Sequence, residues 1–390
     1  MNLSLVQMAQ LFFQKFGNGG DVRVYFAPGR VNLIGEHIDY NGGHVFPCAL
    51  TVGNYVIVRK RRDRKVRFYS HNFKKGGILE TSLDDISYKK KDGWINYPKG
   101  VIWSLAQKGY LMDKGLDVFN WGNIPGSGLS SSAAVELSIA TAINDLFEFK
   151  ISPIELALIS QYAENNYNHM NCGIMDQFAS AMGKKDNAIF LDCSNLEYQY
   201  VPFNLKGFKI IVTNSNKKHS LASSQYNVRR EECERALNDL KQVVKIDNLC
   251  QLTPIEFEKY KNAIKDKTCQ LRAKHAVYEE QRTKDAIIAL KENDIDKFGQ
   301  LLNESGDSLR YDYDATCFEI DTLVDLARKQ RGVYGSRETG GGWGGNTISI
   351  VLDGAVNNFI KNVGEAYKAK TNKEASFAIL EVGDGARKLF

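Results

Sequence analysis

A mixed α+β fold in two halves is what this sequence predicts, and three observations carry the prediction. Strand-like and helix-like segments alternate irregularly and include hairpin-like pairs, unlike the regular β-then-α order of a parallel doubly wound sheet. The composition, 43% hydrophobic and 25% charged over 390 residues, is that of a globular chain long enough for two or three domains. Three glycine-rich segments, at 27–43, 125–134 and 339–345, punctuate the elements.

The elements follow in order. MNLSLVQMAQLFFQKFG places Leu5, Met8, Ala9, Phe12, Phe13 and Phe16 at helical spacing without a basic leader, which predicts the amphipathic first helix of a cytoplasmic protein. Residues 22–50 mix β-branched residues with Gly, Pro and Asn and read as strand, loop and strand, and 50–72 continues as a hairpin. WINYPKGVIWSLAQKG predicts a helix, GLDVFNWGN a strand, and Ser132 to Phe147 a buried helix that is apolar over much of its circumference. SPIELALISQYAENNYN predicts a further helix, followed by CGIMDQFASAMG. A β-rich stretch at 187–215 opens the second half, with a charged helix around YNVRREECERALNDLK, helices from about 270 to 330, and a final RETGGGWGGNTISIVL. The division falls softly between 185 and 200, giving domains 1–190 and 191–390.

No run approaches the ~18 apolar residues of a membrane span. The seven cysteines include no C-x-x-C pair, so neither a disulfide framework nor a zinc site is suggested. The net charge of +5 is mild, and much of the excess lies in VRKRRDRKVRF at 58–68. That run joins NYVIV to VRFYS with Asp63 in the middle, which favours a solvated hairpin over a nucleic-acid surface. The predicted partners therefore exclude nucleic acid and membrane.

The stretch NIPGSGLSSSAAVE at 123–136 runs two glycines and three serines into a helix. Such a turn presents backbone N–H groups and a helix N-terminus, which suit an anion, most often phosphate. It is not a P-loop, because Leu129 and Ser130 follow Gly128 where a lysine would stand. On composition alone a flexible linker remains an alternative, and capping of the helix is the favoured role for at least one of Ser130 and Ser131. The first glycine-rich segment concentrates Arg30, Glu36, His37 and Asp39 on a loop, where titratable groups more often serve ligands than cores.

Pro28-Gly29-Arg30-Val31-Asn32-Leu33-Ile34-Gly35-Glu36-His37, with Asp39-Tyr40-Asn41-Gly42-Gly43, resembles the signature of galactokinases. The second and third glycine-rich segments resemble motifs of the wider GHMP sugar and metabolite kinase family. The resemblance extends through ENNYNHMNCGIMDQF at 164–178, SLASSQYNVRREEC at 220–233 and DKFGQLLNESGDSLR at 296–310. It implies a two-lobed GHMP kinase fold with mixed and antiparallel sheets and the active site in the cleft between lobes. The implied reaction moves the γ-phosphoryl of ATP to the anomeric hydroxyl of galactose.

The same resemblance assigns roles. Asp176 and Arg30 are the implied catalytic pair, although an Asp in MDQF alone would be read as a helix cap. Sugar binding falls to Glu36, His37, Asp39, the backbone of Gly173, Asp176 and Tyr226. ATP binding falls to Pro125, Gly126, Ser127, Gly128, Leu129, Ser130, Ser131, Ser132 and Ala133, with Trp94 either near the adenine or a core aromatic. Mg²⁺ is the implied cofactor, held by Ser132 and Glu164. His44, His71 and His275 have no matching role and are read as surface or core histidines.

Departures from the pattern are Ile38, His169, Gly306, Glu338 and Asn346. Ile38 and His169 leave the exact sugar open, and Glu338 bears on nucleotide affinity. The alternatives are a kinase for N-acetylgalactosamine or arabinose and a non-catalytic galactose/ATP sensor. The intact Ser132-Ala133-Ala134 favours an enzyme, as a monomer or weak homo-oligomer with galactose and MgATP as partners.

Overall fold

The computed structural model describes residues 3–124, 128–203, 205–217 and 222–390. The first helix, α1 (Leu5–Phe16), starts at a Ser4/Gln7 capping box, and its 3.6-residue period buries Met8, Phe12 and Phe16. They pack on Ile57, Phe119 and Trp121 of the sheet beneath. Full burial of a ring such as Phe12 contributes roughly 2–3 kcal/mol relative to exposure.

Strands β1 (Val22–Asn32), β2 (His44–Val45), β3 (Pro47–Lys60), β4 (Lys65–Ser70) and β5 (Ile78–Ser82) follow, then α2 (Asn96–Gln107) and β6 (Leu116–Gly122). The predicted hairpin at 50–72 does not form. In the sheet order β13-β1-β3-β6-β4-β5, with β13 at Arg387–Lys388, β6 lies between β3 and β4 and pairs in parallel with β4. The physical reason is Asp117 on β6, which is buried and collects Arg59 Nη2 at 2.8 Å, Arg61 Nη1 at 2.9 Å and Arg67 Nε at 2.7 Å. The basic run is thus in part the counter-charge of a buried carboxylate. The sheet is otherwise antiparallel, so it is mixed, as predicted.

Helices α3 (Ser131–Leu146), α4 (Pro153–Asn166) and α5 (Met175–Met182) cover that sheet together with α2, and α3 lies against β1 and β3. Strands β7 (Asn187–Asp192) and β8 (Tyr198–Pro202) join β2 in a three-stranded antiparallel sheet, which spans the position 190/191. After β9 (Phe208–Asn214) come α6 (Ala222–Leu240), α7 (Pro254–Tyr260), α8 (Lys267–Lys291), α9 (Ile295–Tyr311) and α10 (Phe318–Arg328). The chain closes with β10 (Val333–Thr339), β11 (Asn346–Leu352), α11 (Val356–Thr371), β12 (Ser376–Ile379) and β13.

The second large sheet, β10-β11-β9-β12, is wholly antiparallel. Its alternation divides two cores: Ile211 and Val351 face Leu323, Phe359 and Val363 of α10 and α11, while Ile210, Val212, Ile348 and Ile350 join the Phe298 and Leu301 side. Among the described residues no helix is long and apolar enough to cross a membrane.

Candidate active site

A cavity of ≈ 230 Å³ opens where the end of β1, the starts of α3, α5 and α6 and the Gly340–Gly342 loop converge. Arg30, Glu36, His37, Asp39, Gly173, Asp176 and Tyr226 all line it, so the two halves of the chain meet there. Arg30 is not on a loop, as the sequence suggests, but inside β1. The register slips between Pro28 and Arg30, and a bulge of this kind re-aims a side chain.

The Arg30 guanidinium is 97% buried by its neighbours and grips Asp176, with Nε donating to Oδ1 at 2.8 Å and Nη2 at 2.6 Å from the same oxygen. Nη1 donates to the Gly128 carbonyl at 3.1 Å, tying the glycine-rich loop before α3 to the same cation. Burial works against the charge, but Asp176, Glu36 and Asp39 together raise the Arg30 pKa. Asp176 sits in the first turn of α5 and does not cap it, since the cap residue is Ile174.

Glu36 is buried, and its Oε1 accepts from both Nη atoms of Arg337 at 3.2 Å and from Gly340 N at 2.9 Å. His37 lies among Tyr40, Tyr226, Tyr313 and Trp343; its Nδ1 meets Tyr40 Oη at 2.9 Å, and its buried Nε2 has no partner among the described residues. Burial first, then the positive neighbours, lowers its pKa to about 3, so the ring is neutral. Asp39 is pushed up to about 6 by burial and by Asp176, and its Oδ2 accepts from Met175 N at 3.4 Å. Gly173 is required beside it: a Cβ there would fall 2.0 Å from Asp39 Oδ2.

Glu164 on α4 is buried and accepts from Gln177 Nε2 at 2.7 Å, and with Ser132 it lines the cavity. Burial, then the charge of Asp176, raises it to about 7. Arg30 is the one cation lining this cavity among the described residues, against the carboxyl groups of Glu36, Asp39, Glu164 and Asp176. Both Ser132 and Glu164 offer hard oxygens, the donor set Mg²⁺ prefers. No group of three His, Cys, Asp or Glu able to hold a metal exists among the described residues. Two protein oxygens are the number an Mg²⁺ ion that keeps waters and phosphate oxygens takes from a protein.

A neighbouring cavity of ≈ 290 Å³ is lined by Phe73, Trp94 and Tyr97 and shares Ser131 and Ser132 with the first. Trp94 is half-buried, stacks on Phe73 and faces this cavity while also packing on the core. Gly128, Ser130, Ser131 and Ser132 line the first cavity, whereas the side chains of Leu129 and Ala133 are buried in the core. Pro125, Gly126 and Ser127 lie outside the described residues.

The predicted serine cap is not made. Ser130 occupies the cap position of α3 with a left-handed backbone, φ 56, and its buried Oγ bonds to nothing among the described residues. An extended backbone is needed to turn a cap oxygen onto the helix N–H groups.

Of the departures, Ile38 is in the core and His169 is exposed with its ring edge on Tyr88, and neither lines the first cavity. Glu338 is buried with neither oxygen partnered among the described residues, and burial together with the nearby Glu36 charge pushes it well up. Sequence reasoning missed Arg337, Gln177, His275 and Glu279, all buried behind the lining. For the last two the signal was present: HAVYE places a histidine and a glutamate four apart, on one helical face.

Comparison with known proteins places this geometry in context. Residues 10–60 match the galactokinase galactose-binding signature, 96–184 the GHMP kinases N terminal domain and 286–369 the GHMP kinases C terminal domain. A galactokinase of Clostridium acetobutylicum is 52% identical over 94% of both chains, and one of Bacillus subtilis 50% identical over 98% of both. The crystal structure of Lactococcus lactis galactokinase complexed with galactose superposes with a TM-score of 0.97 at 43% identity, covering 99% of this chain and 100% of that one. The Methanococcus jannaschii mevalonate kinase, 16% identical with a TM-score of 0.64 over 94% of this chain and 99% of that one, shares the fold. Signature, both kinase domains and full-length likeness converge on one group: the chain belongs to the galactokinase family of GHMP kinases.

Proposed function

We propose that this chain is a galactokinase that transfers the γ-phosphoryl of ATP to the anomeric hydroxyl of galactose, giving galactose 1-phosphate and ADP. The observation that carries the reading is the Arg30–Asp176 pair inside a cavity otherwise walled by sugar-type acceptors and donors. Arg30 occupies one oxygen of Asp176, and the other has no protein partner among the described residues. That oxygen accepts the proton of the attacking hydroxyl, while the guanidinium stabilises charge as it develops on the transferring group.

Glu36 Oε2, His37 Nε2, Asp39 and Tyr226 supply fixed hydrogen-bonding groups for the remaining hydroxyls. Gly128, Ser130 and Ser131 and the start of α3 cradle the phosphates, and Trp94 with Phe73 and Tyr97 packs the base. Ser132 and Glu164 would hold Mg²⁺, which when bound neutralises phosphate charge in place of the absent P-loop lysine. Ile38 and His169 stand away from the lining, which supports galactose over a substituted sugar. Residues 1–190 and 191–390 form the two lobes of this reading.

The test is a coupled ADP-release assay across galactose, glucose, arabinose and N-acetylgalactosamine. A site built to pair a hydroxyl rejects an epimer that leaves its polar groups unpaired, so galactose exceeds glucose by a factor on the order of 10³ or more in kcat/KM. Equal rates for the epimers, or a preference for N-acetylgalactosamine, contradict the reading.

A further inference from the structure

We infer that His275 and Glu279, one turn apart on α8, are positioning residues that clamp the backbone turn carrying Glu36 and His37. The inference rests on the galactose reading of the site and extends it to residues that touch no ligand, since neither lines the cavity.

Glu279 is fully buried, and four donors converge on its carboxylate. Its Oε1 accepts from Gly35 N at 3.0 Å, Glu36 N at 3.4 Å and Ser305 Oγ at 2.6 Å; Oε2 accepts from Arg282 Nε at 2.8 Å. His275, also fully buried, has Nε2 at 3.0 Å from the Glu36 carbonyl and Nδ1 at 2.9 Å from Ser308 Oγ. A carbonyl can only accept, so Nε2 carries the proton, and Nδ1 lies against the Ser308 hydroxyl, which is itself 3.2 Å from Asp312 Oδ2. One helix face therefore holds residue 36 by both its N–H and its C=O.

The turn needs holding. Gly35 has φ 97, and a Cβ there would lie 2.6 Å from the His44 carbonyl. His37 has φ 61, a left-handed conformation that a non-glycine residue keeps only where its surroundings over-determine it. What the clamp presents is specific. Glu36 Oε1 is taken by Arg337 and Gly340, and His37 Nδ1 by Tyr40, so Glu36 Oε2 and His37 Nε2 are the atoms left for a ligand. A small rotation of the turn misaims both together, and misplacement of about 1 Å is enough to weaken recognition strongly.

The experiment measures galactose affinity by calorimetry, KM for both substrates and thermal midpoint in full-length Glu279→Gln, Ser305→Ala, His275→Leu and His275→Gln. The clamp predicts that Glu279→Gln and His275→Leu weaken galactose binding by at least about 10-fold while KM for ATP stays within about twofold. Gln at 275 still donates to the Glu36 carbonyl and restores affinity to within about threefold of the parent. If Glu279→Gln does not fold, Ser305→Ala decides, with an expected weakening of a few-fold confined to galactose. Folded variants with galactose affinity within twofold of the parent, or with equal losses for galactose and ATP, overturn the clamp. Failure of the parent protein itself to bind galactose would instead sink the functional reading on which the clamp rests.

Discussion

Arg30 places two of its nitrogens, Nε and Nη2, on the same oxygen of Asp176, at 2.8 and 2.6 Å. Its third nitrogen holds the Gly128 carbonyl. One planar cation thus fixes the carboxylate and the glycine-rich loop before α3 together, a geometry an ammonium cannot reproduce. Arg30→Lys is expected to lower kcat by roughly 10² or more, because it removes interactions that matter in the transition state. Steady-state kinetics with galactose checks this, and a loss under threefold refutes it.

Glu164 bears on the metal. Removing a hard oxygen ligand from a site with one cation among four carboxyl groups is expected to weaken the metal ion and spare the sugar. Glu164→Ala should lose most turnover and require more Mg²⁺ for half-maximal rate, with galactose affinity nearly unchanged by calorimetry. Near-normal turnover at ordinary Mg²⁺ would show that Glu164 is not a ligand.

Asp117 tests the sheet. Three arginines share this buried carboxylate, but each is partly exposed, at 12, 18 and 25%. Solvent screening therefore places the cost of Asp117→Asn below the 3–5 kcal/mol of a fully buried pair, at about 2–3 kcal/mol. Urea unfolding reads the difference, and a change below 0.5 kcal/mol (roughly the effect of an ordinary surface substitution) would mean the cluster is ornamental.

These residues show what a linear reading reaches. The period of Met8, Phe12 and Phe16 fixed α1 because it is local, and the alternation and punctuation around β1, β6 and the glycine loops were equally visible. Arg30, Glu36, His37, Asp39 and Asp176 were legible through their signature and do line one cavity. The basic run was misread as a hairpin because the parallel β4–β6 pairing depends on a residue some fifty positions away, Asp117. His275 and Glu279 were passed over for the same reason: their partners at 35 and 36 lie about 240 positions away. Ser130 failed as a cap because its backbone, not its side-chain type, decides.

Glu338 predicts a pH dependence. Burial raises its folded pKa well above the ordinary 4.5, so the folded chain holds this proton to a higher pH than the unfolded chain does. The unfolded state then binds fewer protons, and this residue's contribution destabilises at high pH and fades as pH falls toward 4.5. Glu338→Gln, which cannot ionise, is expected to raise Tm by about 2 °C or more at pH 8, with the gap closing near pH 4.5. A gap that is constant with pH, or a lower Tm at pH 8, would show that Glu338 is paired and charged in the fold.

Asp176→Asn gives the most direct test, measured as single-turnover phosphoryl transfer to galactose beside calorimetric galactose affinity. The amide keeps the shape and a hydrogen bond but cannot take a proton. Transfer should therefore slow by roughly 10² or more while galactose binds nearly as in the parent. Wild-type single-turnover chemistry in this variant, or a defect explained wholly by lost galactose binding, would contradict the assignment of the proton to Asp176.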